Sequence, residues 1–304
     1  MKRLGIDLGG TKIAVAVIDA GGEVIFEKRL PTPVDDYGQT LRVIAALVAQ
    51  AEVASGMPAG SARVGVGSPG AESLIHGRIK NANSTALNGQ SLARDLTELL
   101  KRQVRVANDA NCMTLSEATD GAAANQEVVF GVILGTGVGG GLVIRNHLIG
   151  GVNRIAGEWG HNPLPWPDAD ERPGPACYCG QSGCIETWLS GPGLLAEYQR
   201  REGGEPVDDA ATVCALALAG DQTAGAVLIT YYRRLARALA SAINFLDPDV
   251  IVLAGGLSNH LPIYREVPTL WGQWVFSDRV DTRLLPARHG DASGVRGAAW
   301  LWPG

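Results

Sequence analysis

Three short stretches carry residue types whose spacing suits chemistry. In "LGIDLGGTK" an acid, Asp7, stands inside an apolar strand-like run, and Gly9, Gly10, Thr11 and Lys12 follow it. A charge in that setting is costly unless a partner compensates it. In "RVANDANC" the polar set Asn108, Asp109 and Asn111 falls where a strand ends and a helix begins. In "CYCGQSGC" three thiols, Cys177, Cys179 and Cys184, follow His161 of "GEWGH".

Each stretch has a bland reading beside a chemical one. Glycine turns are commonly just tight hairpins, but glycine also lets backbone N–H groups approach phosphate oxygens. A second turn, "GTGVGGG", supplies Gly135, Thr136 and Gly137 after another apolar run. Neither turn has the GxxxxGK[ST] spacing of a P-loop. Gly135 to Gly140 does match GxGxxG, with Glu158 roughly where a ribose acid would fall, yet the residues that follow read as a strand and not as a helix. The remaining reading is two glycine hairpins on one phosphate chain, with Thr11 and Thr136 as hydroxyl donors. Asp7 then faces a magnesium-bound polyphosphate whose metal compensates its charge. As structure alone, Asp109 is a helix N-cap.

The thiols and His161 form a Cys3His set suited to a closed tetrahedral zinc site. Buried free thiols or a redox pair are the alternatives. Three thiols within eight residues and a C-x-C spacing disfavour both. Cys112 and Cys214 lie alone in helical text and read as core.

The elements that must position these groups follow from the pattern of the chain. With 304 residues, 46% of them apolar and 19% charged, the sequence suits two globular domains. A formal charge of −5 without a basic run excludes nucleic acid as an expected partner. No apolar stretch has the length of a membrane span and no signal-peptide pattern precedes the first strand, so the expected place is the cytoplasm. "RLGIDLGGTKIAVAVIDAGGEVIFEKRL" reads as a three-strand meander with glycine turns. "FGVILGTGVGGGLVIRNHLIGG" repeats it at an offset of 126, so that Gly131 falls on Gly5, Leu134 on Leu8, Gly135 on Gly9, Val143 on Val17 and Ile144 on Ile18. Ile133 stands where Asp7 stands, so only the first copy carries the acid. The repeat implies two similar half-structures. Later segments read as helices, except the buried strand of "DPDVIVLAGG", which ends on Gly255 and Gly256.

Taken together, "DLGGTK", "ANDAN", "GTGVGGG", "GEWGH" with "CYCGQSGCIE", and "DPDVIVLAGG" resemble the ROK sugar kinases of the actin–hexokinase–Hsp70 superfamily, in order and across essentially the whole chain. "KNANSTALNGQ", "GEWGHNPLPW" and "RHGDASGVRGAAWLW" look most like the bacterial fructokinase (manno/fructokinase) branch, with N-acetylglucosamine kinases second. "SPGAES" departs from the "GIPG" expected of that branch.

The resemblance implies an α/β, two-lobed actin-like ATPase (ribonuclease H-like) duplicated fold with an interlobe cleft. Residues 1–115 and about 291–304 would form the small lobe, and 116–290 the large one. It implies ATP-dependent phosphorylation of a hexose at its 6-hydroxyl, with fructose first, mannose and glucose as further acceptors, and N-acetylglucosamine as the alternative. A sugar-responsive regulator ranks last, because the first strand starts by residue 4 and leaves no room for a DNA-binding domain. Asp109 would be the catalytic base, and Asn108 and Asn83 would bind ring hydroxyls. Glu158, His161 and Glu186 would hold hydroxyls near the anomeric end. Gly255 and Gly256 would pack on ATP, and His161, Cys177, Cys179 and Cys184 would hold a structural zinc. Magnesium with the nucleotide and a homodimer complete the expectation.

Overall fold

The computed structural model describes residues 2–33, 35–82, 85–201 and 206–302. The meander forms as expected: β1 (Arg3–Leu8), β2 (Lys12–Ile18) and β3 (Val24–Pro31) pair antiparallel in sequence order. Helix α1 (Tyr37–Ala54) starts at Asp36, whose side chain accepts from Gln39 N and so satisfies one of the unpaired donors of the first turn. Next come β4 (Arg63–Ser68), the short pair β5 (Ala71–Glu72) and β6 (Ile79–Lys80), α2 (Leu92–Leu100), β7 (Val104–Asn108) and α3 (Asp109–Thr119). β4 lies parallel to both β1 and β7, giving the sheet order β3-β2-β1-β4-β7.

The second copy opens with β8 (Val128–Leu134), β9 (Val138–Ile144) and β10 (His147–Leu148). Four helices follow: α4 (Ile185–Leu189), α5 (Gly191–Gln199), α6 (Ala210–Leu218) and α7 (Gln222–Leu246). The chain then runs through β11 (Val250–Ala254), α8 (Ile263–Trp271), β12 (Arg283–Pro286) and the closing helix α9 (Ser293–Trp300). Its sheet order is β10-β9-β8-β11-β12, with β8, β11 and β12 parallel. Third, second, first, fourth, fifth is the order in both sheets, so the sequence repeat corresponds to a duplicated topology.

By contacts the chain divides into two compact units, residues 1–125, 141–156 and 291–304 in one, and 126–140 and 157–290 in the other. Residues 116–125 and 141–156 thus group with the first unit, whereas the sequence expectation counted them in the second. The division falls inside β9, where a continuous strand gives no change of composition to mark it.

In the first unit the central strands are buried on both faces, which is why they read as apolar runs and not as alternation. Leu4, Ile6, Val15 and Val64 pack with Ile44, Leu47 and Val48 of α1. α9 lies so close to the sheet that a Cβ at Gly5 or Gly65 would overlap the carbonyl oxygen of Val295 or Ala298. Glycine at those two strand positions is therefore a condition of the chain end docking there. In the second unit α7 supplies the core, with Leu235, Leu239 and Ile243 packed among Phe130, Val132, Trp188 and Leu253. Among the described residues no single helix is long and apolar enough to cross a membrane; α6 and α7 pass such a test only as a pair, and the chain bends by 112° between them.

Candidate active site and metal centre

In the first unit the parallel strands aim two acids the same way. Asp7 sits next to the last residue of β1, in register with Gly67 of β4, and β4 pairs Ser68 with Asn108 at the end of β7. Asp109 follows directly as the first residue of α3. Both acids thus stand at the carboxyl ends of parallel strands, where α/β sheets bind their ligands. They line one cavity of about 470 Å3 together with Gly9, Gly10, Thr11, Thr32 and Leu87. The glycine turn is shaped by Gly9 N donating to Lys12 O at 3.0 Å, and Thr32 pins it by donating its hydroxyl to Gly9 O at 2.8 Å.

The structure revises the role of two residues here. Asn108, not Asp109, is the N-cap of α3: its side-chain oxygen accepts from Ala110 N at 2.9 Å, and its amide donates to Gly70 O at 3.1 Å. Asp109 Oδ1 also accepts from Ala110 N, at 2.8 Å, but the capping position itself is filled by its neighbour. Burial pushes the Asp109 carboxyl above its usual range against that hydrogen bond. Asp7 is pushed up to about 6, by burial first and then by the charge of Asp109, with Lys12 opposing. Among the described residues no cation forms an ion pair with Asp7. Lys12 pairs instead with Asp291, at 3.8 Å. Such an acid favours a bound cation, and the site fits a metal-chelated phosphate. Asn83 lies outside the described residues.

In the second unit the glycine turns again end parallel strands: Gly135 follows β8, and Gly255 and Gly256 follow β11. Gly135, Thr136 and Gly256 line a second cavity, of about 460 Å3, walled by Ala211, Ala215, Leu218 and Leu257 and edged by Asn259 and His260. Cys214, expected in the core, also lines this cavity. Cys112 is fully buried, as expected.

The four predicted metal donors converge. Their ligand atoms lie within 4.8 Å of one another. Cys177 N donates to Gln181 O at 2.8 Å and Gly180 N to Cys177 O at 3.0 Å, curling the loop, with Gly180 at φ +92°. Cys184 is held at the start of α4. A zinc tetrahedron with Zn–S of about 2.3 Å and Zn–N of about 2.0 Å has edges of about 3.8 Å between sulfurs and about 3.5 Å between sulfur and nitrogen. Cys179 Sγ lies 3.6 Å from Cys184 Sγ, and Cys177 Sγ lies 3.5 Å from His161 Nδ1. The donor set fits zinc. Burial and the neighbouring thiols push Cys184 up to about 12, a penalty that a cation would reverse.

Around this loop the three residues given to the sugar behave differently. Glu186 Oε2 accepts from Val138 N at 2.9 Å, so it braces the turn that holds Gly135 to Gly137. Glu158 is exposed, while its neighbour Trp159 is buried and donates to Gly139 O. His161 turns Nδ1 to the thiols and Nε2 to Tyr178 Oη, at 3.0 Å. Sequence reasoning missed Tyr178, whose only signal was its place between two ligands.

The family model for the ROK family matches residues 3–304. The N-acetyl-D-glucosamine kinase of Yersinia enterocolitica is 40% identical over 301 residues, which cover 98% of each chain. Among solved structures, the ROK hexokinase of Thermus thermophilus superposes with a TM-score of 0.85 at 31% identity, covering 98% of this chain and 97% of that one. A ROK family glucokinase from Streptomyces griseus, in complex with glucose and AMPPNP, gives 0.80 at 26% identity and 99% of both chains. The architecture is the two-lobed actin-like ATPase fold. The curated relative belongs to the second of the two branches weighed in the sequence, the N-acetylglucosamine kinases, and not to the fructokinases placed first.

Proposed function

Because the chain belongs to the ROK family of sugar kinases, we propose that it transfers the γ-phosphoryl group of ATP to the 6-hydroxyl of N-acetyl-D-glucosamine. The observation that carries the choice of acceptor is the end-to-end similarity to the Yersinia enterocolitica enzyme.

Phosphoryl transfer depends mostly on positioning and charge neutralisation. Asp109 is the base: its carboxylate orients the sugar hydroxyl and takes its proton as the oxygen bonds to phosphorus and ADP leaves. A carboxylate whose proton affinity burial has raised suits that late transfer. Asp7 holds the nucleotide's magnesium, which when bound supplies positive charge to the phosphate oxygens. Gly9, Gly10, Thr11 and Lys12 offer donors to the phosphates, as do Gly135, Thr136 and Gly137. The apolar cavity lined by Gly256 suits the adenine, and Gly255 precedes that residue directly after β11. Asn108 and Asn83 bind ring hydroxyls, and Glu158, His161 and Glu186 bind those near the anomeric end. Zinc on His161, Cys177, Cys179 and Cys184 fixes the loop carrying His161 and takes no part in the transfer.

A coupled ADP-release assay against N-acetylglucosamine, fructose, mannose and glucose tests the reading. The expected result is the highest kcat/KM for N-acetylglucosamine. The highest value for fructose would restore the sequence's first choice, and no turnover with any of the four would remove the kinase reading.

A further inference from the structure

One polar contact near the metal loop has no part in the function proposed above. Within the four-donor cluster His161 Nδ1 lies 3.5 Å from Cys177 Sγ, so ligation of a metal through Nδ1 would leave the proton on Nε2. Nε2 is already engaged. Its N–H points to Tyr178 Oη at 3.0 Å, and the two rings meet edge to face with centroids 5.1 Å apart. The main chain beside Tyr178 is fixed by the loop's own hydrogen bonds, while the residue is 77% exposed, so its side chain can swing away without disturbing the core.

We propose that Tyr178 is a placeholder for the sugar. In the sugar-free protein its hydroxyl accepts the His161 Nε2–H and keeps the imidazole aimed; on binding, it gives up that donor to a sugar hydroxyl. Tyr178 is thus a positioning residue whose hydroxyl weakens sugar binding by the worth of one exchanged hydrogen bond. The inference rests on the assignment of His161 to the sugar.

Tyr178→Phe keeps the ring and removes the acceptor. Calorimetric titration with N-acetylglucosamine, steady-state kinetics and zinc content would be measured on the variant and the wild type. A net hydrogen bond of about 1 kcal/mol corresponds to about fivefold in affinity. The expected result is a Kd and a KM about fivefold lower, with kcat and zinc content unchanged. A higher Kd would mean that the hydroxyl itself holds the sugar, and a loss of zinc that it only braces the loop; either overturns the proposal, as does an unchanged Kd. No binding of the hexose by the wild type would instead overturn the proposed function, and the inference with it.

Discussion

Two sets of carboxylates stand in poorly hydrated surroundings and meet opposite fates. In the second unit Glu171 accepts from Arg234 Nε and from Arg237 at 2.7 Å, and Glu197 accepts from Arg234 at 3.0 Å. Burial pulls both acids upward, but the arginines prevail and hold them below the usual carboxylate range. In the first unit Asp7 and Asp109 share a cavity in which burial meets no such answer, and both rise. The partnered acids build. Arg237 also donates to Trp166 O at 2.6 Å, and Arg234 lies over the Trp188 ring at 4.2 Å, so the network ties the segment that leads into the metal loop to α7. The acids without such partners cost stability in the free protein, which is the usual signature of groups kept for a ligand.

The sharpest way to separate the two sets is to neutralise one member of each. Asp109→Asn is expected to lower kcat by about a thousandfold or more, roughly 4 kcal/mol of transition-state stabilisation, while leaving the thermal midpoint unchanged or raised. Near-normal turnover in that variant would take the base assignment away. Glu171→Gln should do the reverse. It leaves Arg234 and Arg237 buried with part of their partner gone, a loss of about 3 kcal/mol of stability. Denaturant unfolding reads that loss directly, and a variant as stable as the wild type would show the network to be dispensable.

How much of this was legible in the sequence depends on how local each cause is. The meander, its repeat and the strand before Gly255 were readable because glycine turns and apolar runs are properties of a few adjacent residues. The clustering of the four candidate metal donors was readable for the same reason: Cys177, Cys179 and Cys184 crowd into one loop. The cap of α3 was misassigned because it depends on where β7 stops, and the pairing of Ser68 with Asn108 leaves Asn108 outside the helix. Glu171 and its arginines lie 63 and 66 positions apart, too far for any pattern to join them. The grouping of residues 141–156 with the first unit was hidden by the continuity of β9. The choice of branch was not legible either, because it rested on a few short stretches of likeness and no nearby residues specify the shape of a sugar pocket. The departure at Ser68, a fully buried residue, was the one local sign against the fructokinase pattern.

Asp7 offers the most direct test that the first set carries uncompensated charge. Its carboxyl moves from 3.8 to about 6, so its ionised form is penalised in the folded state. The penalty is present in full above about pH 6, fades as pH falls toward 4 and is gone below the unfolded value. Unfolding free energies of the wild type and Asp7→Asn, measured without nucleotide or sugar from pH 4 to pH 8, isolate it. The expectation is a variant more stable by about 3 kcal/mol at pH 7 to 8, with the gap closing by pH 4. A variant that is equally stable or less stable at neutral pH would show that the protein already supplies Asp7 with its partner.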